Sequence, residues 1–228
     1  MNLAQNRRFS SVIKAEQMLQ CRIQFILGLA IIGLVYVVAN LIYTPLSFEQ
    51  QLEERNAEVI VKLKDIRAAE RAFKSKYQHF TSDFDSLINF ILNDSLELER
   101  KLVDEDDSVA MAQLKKAKKQ NIEKYNLAVI DTIFNPRKLS KEQVENLRFI
   151  PHTNNMEFIL EAGLVDKSNV KVPVVECRAP YKAYLDTVEF RQNVINLIDD
   201  KVNNFGQYAG LKFGSMEGSN NEAGNWED

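Results

Sequence analysis

Apolar residues are spread unevenly along this chain, and their spacing changes from one segment to the next. Residues 23–43 read IQFILGLAIIGLVYVVANLIY and carry no formal charge. As a helix, such a run spans roughly 30 Å, the thickness of a bilayer core. Thirteen of its positions are Ile, Leu, Val or Phe, each favouring insertion by about 0.3–0.6 kcal/mol, or on the order of −6 kcal/mol together. Gln24 and Asn40 lie near the ends, where polar groups cost least, and Tyr43 is placed for an interfacial belt. The pattern predicts a transmembrane helix that runs from Ile23 through Leu27, Ile31, Leu34 and Val38 to Tyr43. A secretory signal cleaved near Ala39 competes with it. The apolar run continues through Leu41, Ile42 and Tyr43, beyond the usual h-region of about 7–15 residues, which favours the uncleaved anchor.

Pro45 punctuates the span and suits the first turn of a following helix. Residues 44–80 then change period. Leu52, Val59, Ile66 and Phe73 recur every seven residues, with Leu63 and Tyr77 at intermediate positions, which predicts a long amphipathic helix with one narrow apolar seam. Asn56 and Glu70 interrupt the seam, which disfavours a regular coiled coil. The seam is expected to pack against its own domain at the C-terminal end. Nearer the membrane, Leu52, Val59, Leu63 and Ile66 are expected to meet sister or partner helices. Glu70 is expected to pair locally with Arg67 or Arg71, with a pair across a subunit boundary as the alternative.

Residues 81–213 predict an α+β head. Thr81 or Ser82 is placed to N-cap a helix carrying Phe84, Leu87, Ile88, Ile91 and Leu92 on its buried face. After the acidic run at 104–107, a third helix with a lysine-rich face is expected over 108–126. Ser140 and Gln143 form a capping-box pattern for a short turn. Residues 147–150, 156–165 and 170–178 are β-rich and separated by turn residues, predicting an antiparallel meander in which Gly163 marks a bulge or an end. Asp186 and Glu189 open a last helix bearing Phe190, Val194, Leu197 and Ile198, and 211–213 suit an edge strand. Residues 214–228, polar and rich in Gly and Asn, read as a flexible tail whose one large apolar group is Trp226.

Charge sharpens this division. The 228-residue chain has 29 basic and 32 acidic side chains, a near-balance that disfavours nucleic-acid binding. Residues 1–22 hold Arg7, Arg8, Lys14 and Arg22 against Glu16 alone. Without them, 25 basic side chains remain against 31 acidic ones. Basic residues stay on the cytoplasmic side, so the leader is expected inside and everything after residue 43 outside. Cys21 and Cys177 fall on opposite sides of the span, and Cys177 reads as a small buried hydrophobe on a strand.

Recognisable catalytic and nucleotide-binding patterns are absent, and the paired carboxylates suit helix ends better than acid–base chemistry. No catalytic, cofactor-binding or metal-binding residue is assigned. The stretch LKDIRAAERAFKSKYQHFTSDFDSLINFI, residues 63–91, resembles the place where the long helix of type IV pilins and type II secretion pseudopilins ends. Arg67, Ala68, Ala69, Ala72, Phe73, Tyr77, Phe80, Thr81 and Leu87 carry the likeness, and Pro45 sits where such helices often hold a proline. A Gly-Phe or Gly-Met processing junction and an early Glu in the apolar run are missing. The resemblance therefore implies a pilin-like head without implying cleavage.

These observations lead to a non-enzymatic, single-pass protein of a bacterial inner membrane with a periplasmic head. Its expected partners are the bilayer and homo- or hetero-oligomeric membrane proteins of an envelope assembly or secretion apparatus. A single-pass scaffold or ligand-binding receptor is the alternative.

Overall fold

The computed structural model describes residues 3–104, 106–107, 111–113, 116, 121–167 and 170–227, with side chains of the first helix described at residue 22 and from residue 24 on. The chain is α+β and divides into two compact units, residues 1–51 and 52–228.

The first helix, α1, runs Leu3–Tyr77 and contributes to both units. Within residues 1–51 its apolar side chains from Phe25 to Leu46 are exposed, so this stretch is long and apolar enough to cross a membrane. Pro45 was expected to punctuate the span, yet it lies inside α1. It has no N–H for the carbonyl one turn back. Around it, the Thr44 hydroxyl donates to Asn40 O at 2.9 Å and the Ser47 hydroxyl to Thr44 O at 3.0 Å.

In the second unit, Val59, Leu63, Ile66, Glu70 and Phe73 form a buried stripe on α1 at helical spacing. The helix closes where Gln78, at φ 64°, donates its N–H to Lys74 O. Helix α2, Phe84–Asn93, is capped by Asp83, whose carboxylate accepts from Asp85 N and Ser86 N. Thr81 and Ser82 were the expected caps, but the Thr81 hydroxyl accepts from Asp83 N, ahead of the helix, and its backbone N–H donates to Glu70. Helix α2 buries Phe84, Leu87, Phe90 and Ile91.

Strands β1 (Ser95–Lys101) and β2 (Ile122–Ala128) pair antiparallel, Ser95 opposite Ala128 and Lys101 opposite Ile122. This corrects the helix expected over 108–126 at its C-terminal end; most of the remainder lies outside the described residues. Leu96 faces Leu127 and Leu98 faces Tyr125, while Lys124 reaches Glu97 and Arg100 reaches Glu123, each at 2.6 Å. Residues 111–113 and 116 are helical as expected, and cross-strand matching takes over at Ile122–Ala128.

Helix α3 spans Val129–Ile133 and α4 spans Lys141–Glu145 with the expected Ser140–Gln143 capping box. A 3-10 turn, Asn146–Arg148, continues α4, so the strand expected at 147–150 shrinks to one bridge between Phe149 and Glu157. Strands β3 (Ile159–Lys167), β4 (Val170–Pro180) and β5 (Gly210–Gly214) form an antiparallel sheet in the order β3-β4-β5. Gly163 marks neither a bulge nor an end but pairs with Val174 in mid-strand, where a Cβ would come within 3.1 Å of Met216 Cε. Between β4 and β5 lie α5 (Tyr181–Tyr184) and α6 (Arg191–Asp199), the latter running into a π turn, Asp200–Asn204. Asp186 accepts from Val188 N and Glu189 N, but these bonds close the turn at 187–190; α6 begins only at Arg191, with Phe190 at its N-cap and no side-chain cap, which corrects the expected Asp186–Glu189 opening. Val194 of α6 is buried, while Leu197 and Ile198 are half-buried.

Residues 214–227 depart from the expected free tail. Gly214 N donates to Ala223 O and Asn225 N to Lys212 O, and Phe213 bridges Gly224. Arg67 meets Glu227 at 2.8 Å and lies 5.7 Å from the Trp226 ring centre, while Arg71 meets Glu222 at 3.0 Å. The acidic C-terminal segment is thus held by the basic flank of α1. Truncation after residue 218 removes these contacts and an aromatic ring, worth about 2 kcal/mol together. Thermal denaturation should register a midpoint lower by roughly 4–8 °C, and an unchanged midpoint would mean that the segment contributes nothing.

Candidate functional site

The most unusual chemistry in the head sits on the α1 stripe. Glu70 is fully buried among apolar neighbours. One carboxyl oxygen accepts from Thr81 N at 3.1 Å; the other has no hydrogen-bond partner among the described residues. No salt bridge to Glu70 occurs among the described residues, which corrects the expected local pair. Arg67 and Arg71 instead turn to Glu227, Glu222 and the 221–222 backbone. Burial pushes the Glu70 pKa up to about 8, and the Thr81 N–H only partly opposes this. At neutral pH the head therefore holds a mostly neutral acid beneath the turn that joins α1 to α2.

Glu176 on β4 gives the contrast. It is also nearly buried, but it accepts from Met216 N at 3.1 Å and has Lys212 at 3.5 Å and Arg178 at 3.6 Å. Glu176 thus has the cationic partners that buried carboxylates require and that Glu70 lacks among the described residues.

Cys177, also on β4, is fully buried, as expected for a small strand hydrophobe. Burial raises its thiol pKa well above the usual value, and the nearby Glu70 carboxyl adds to the effect. The thiol is therefore a poor nucleophile. Maleimide is expected to leave Cys177 unmodified in the folded chain and to react fully in denaturant; rapid labelling without denaturant would contradict this placement.

Beside the stripe, Phe73, Tyr77 and Phe90 meet tilted or edge-to-face with ring centres 4.6–5.9 Å apart and line an open groove of about 340 Å³. Tyr77 donates to Asp94 at 2.8 Å, and Lys76 pairs with the same carboxylate, so this acid is already satisfied. No group of three or more potential metal ligands occurs among the described residues.

No family model, curated protein or solved structure matches this chain.

Of the predicted span residues, Leu27, Ile31, Leu34, Val38 and Tyr43 all present exposed side chains, while the side chain of Ile23 lies outside the described residues. The seam is divided differently from the expectation. Val59, Leu63, Ile66 and Phe73 are buried in the core of their own head, Leu52 is half-buried and Tyr77 is exposed. Val59, Leu63 and Ile66 thus have no free surface for a sister helix. The segments at 146–149 and Tyr184 lie against this part of α1: Lys62 Nζ donates to Asn146 O at 2.9 Å and Phe149 O at 2.7 Å, and Tyr184 donates to Asn56 at 2.7 Å. Sequence reasoning missed Arg55, which donates to Tyr184 O, and Asp65, which pairs with Arg137. Their partners lie far away in sequence, and no local pattern announces them.

Proposed function

We propose that this protein is a membrane-anchored, pilin-like subunit of a bacterial envelope assembly or secretion apparatus, acting through protein contacts and not through catalysis. The observation that carries the reading is the two-part character of α1. In residues 24–43 apolar side chains are exposed on every side of the helix, whereas from Val59 to Phe73 a single stripe is buried in an α+β head. A helix apolar all round requires an apolar surrounding, and a bilayer supplies one. The resemblance of residues 63–91 to the end of a pilin long helix supports the reading, as does a head in which the buried stripe of α1 is followed by short helices and small antiparallel sheets. Burial of Val59, Leu63 and Ile66 favours this arrangement over a receptor domain merely tethered to a helix.

The basic residues of the leader orient the anchor with the N-terminus in the cytoplasm and the head in the periplasm. Protease added to spheroplasts tests this. An epitope at the N-terminus should survive and one at the C-terminus should be lost. Survival of both, or loss of the N-terminal epitope alone, would reject the orientation.

A further inference from the structure

The three-stranded sheet has two edges, and they are treated differently. The β5 edge is covered by the chain's own C-terminal segment, through Gly214 N to Ala223 O, Asn225 N to Lys212 O and the Phe213–Gly224 bridge. The β3 edge is left open. Among the described residues, the backbone of 159–167 bonds only to β4, in an uninterrupted register from Ile159–Arg178 to Lys167–Val170. Long open edges invite pairing, and proteins usually blunt them with charge, Pro or a bulge. The β1–β2 hairpin is blunted in this way by Glu97, Glu99, Arg100, Lys101, Glu123 and Lys124. Strand β3, ILEAGLVDK, has no Pro, no bulge and one charge before its last two residues. Leu164 in its middle is 61% exposed.

We propose that the β3 edge binds the same edge of a second copy of this chain, antiparallel about a two-fold axis, joining two sheets into one. The residues select the register. With Leu164 opposite Leu164 of the second copy, Glu161 faces Lys167 at both ends, Ala162 faces Asp166 and Gly163 faces Val165. Opposite charges and an apolar centre therefore coincide without a like-charge clash. Moving the axis to Gly163 sets Glu161 against Val165 and Lys167 against Ile159, and both charge pairs are lost. Moving it to Ala162 requires the outer edge of Glu157 and Phe158, which is already taken by Phe149 and Arg148 O. One register satisfies both the charges and the space. The pairing uses only the head and holds irrespective of where residues 23–43 reside.

The test uses the full-length chain in detergent micelles, with Cys21→Ser so that buried Cys177 is the one native thiol. Leu164→Cys should form a disulfide-linked dimer under mild oxidation, several-fold more than Val188→Cys, whose position is more exposed at 92% but lies away from the edge. Leu164→Lys, which sets like charge against like at the axis, should shift the sedimentation mass from dimer to monomer while the circular dichroism spectrum of the folded chain is retained. Crosslinking at 164 no greater than at 188 would overturn the proposal, as would a dimer that survives Leu164→Lys. If Leu164→Lys does not fold, the crosslinking comparison decides alone.

Discussion

Replacing Glu70 by Gln is expected to stabilise the head at pH 7 and above and to remove most of the pH dependence of its stability. The carboxyl has a pKa near 4.5 when exposed and about 8 in the folded chain. Between those values the folded state binds more protons than the unfolded state, so stability falls as pH rises. The contribution of this group is complete below about pH 4.5 and is lost as pH climbs through about 8. With 1.36 kcal/mol for each unit of difference, the native Glu forfeits about 3 kcal/mol by pH 7. Gln cannot ionise and can still accept from Thr81 N, so its advantage should be small at pH 5 and grow toward pH 8. Asp65, raised in the same direction by burial but opposed by Arg137, leaves a smaller slope of the same sign. Urea titrations of both chains at pH 5, 6, 7 and 8 measure the difference. Equal destabilisation by Gln at every pH would mean that Glu70 is charged and paired.

The second large effect concerns the anchor. Arg at the centre of a spanning helix costs about 2.5–3.5 kcal/mol, and each Leu or Ile removed forfeits a further 0.3–0.6 kcal/mol. Ile31→Arg with Leu34→Arg therefore shifts the insertion balance by roughly 6–8 kcal/mol, enough to cancel an apolar total on the order of −6 kcal/mol. Membrane association of the full chain should be abolished, whereas Ile31→Val with Leu34→Ile should leave it intact. Fractionation of cells expressing each variant measures the outcome. Retention of the double Arg variant in the membrane would show that residues 23–43 are not what holds it there.

Much of the architecture was legible because its signals are local. The recurrence of Val59, Ile66 and Phe73, the Ser140 box and the alternation in 156–178 each lie within a few residues of what they specify. The failures share one cause. Strand β2 was hidden because the residues that pair with it, Leu96 and Leu98 among them, belong to another strand. The docking of residues 219–227 depends on Arg67 and Arg71, and their engagement there leaves Glu70 without the cation its neighbours in sequence offered. Glu70 was visible as a polar interruption of an apolar seam. That it is a neutral acid depends on α1, the Thr81 turn and β4 enclosing it together.

Alkaline carbonate extraction of membranes from cells expressing the full-length chain tests the central claim most directly. High pH strips proteins held by charge or by contact with other proteins and leaves those whose helix crosses the bilayer. A chain anchored through residues 23–43 remains in the membrane pellet and enters the supernatant only when detergent is added. Recovery of the unaltered full-length chain in the carbonate supernatant would contradict the account, because the exposed apolar surface of residues 24–43 would then be covered by something other than lipid.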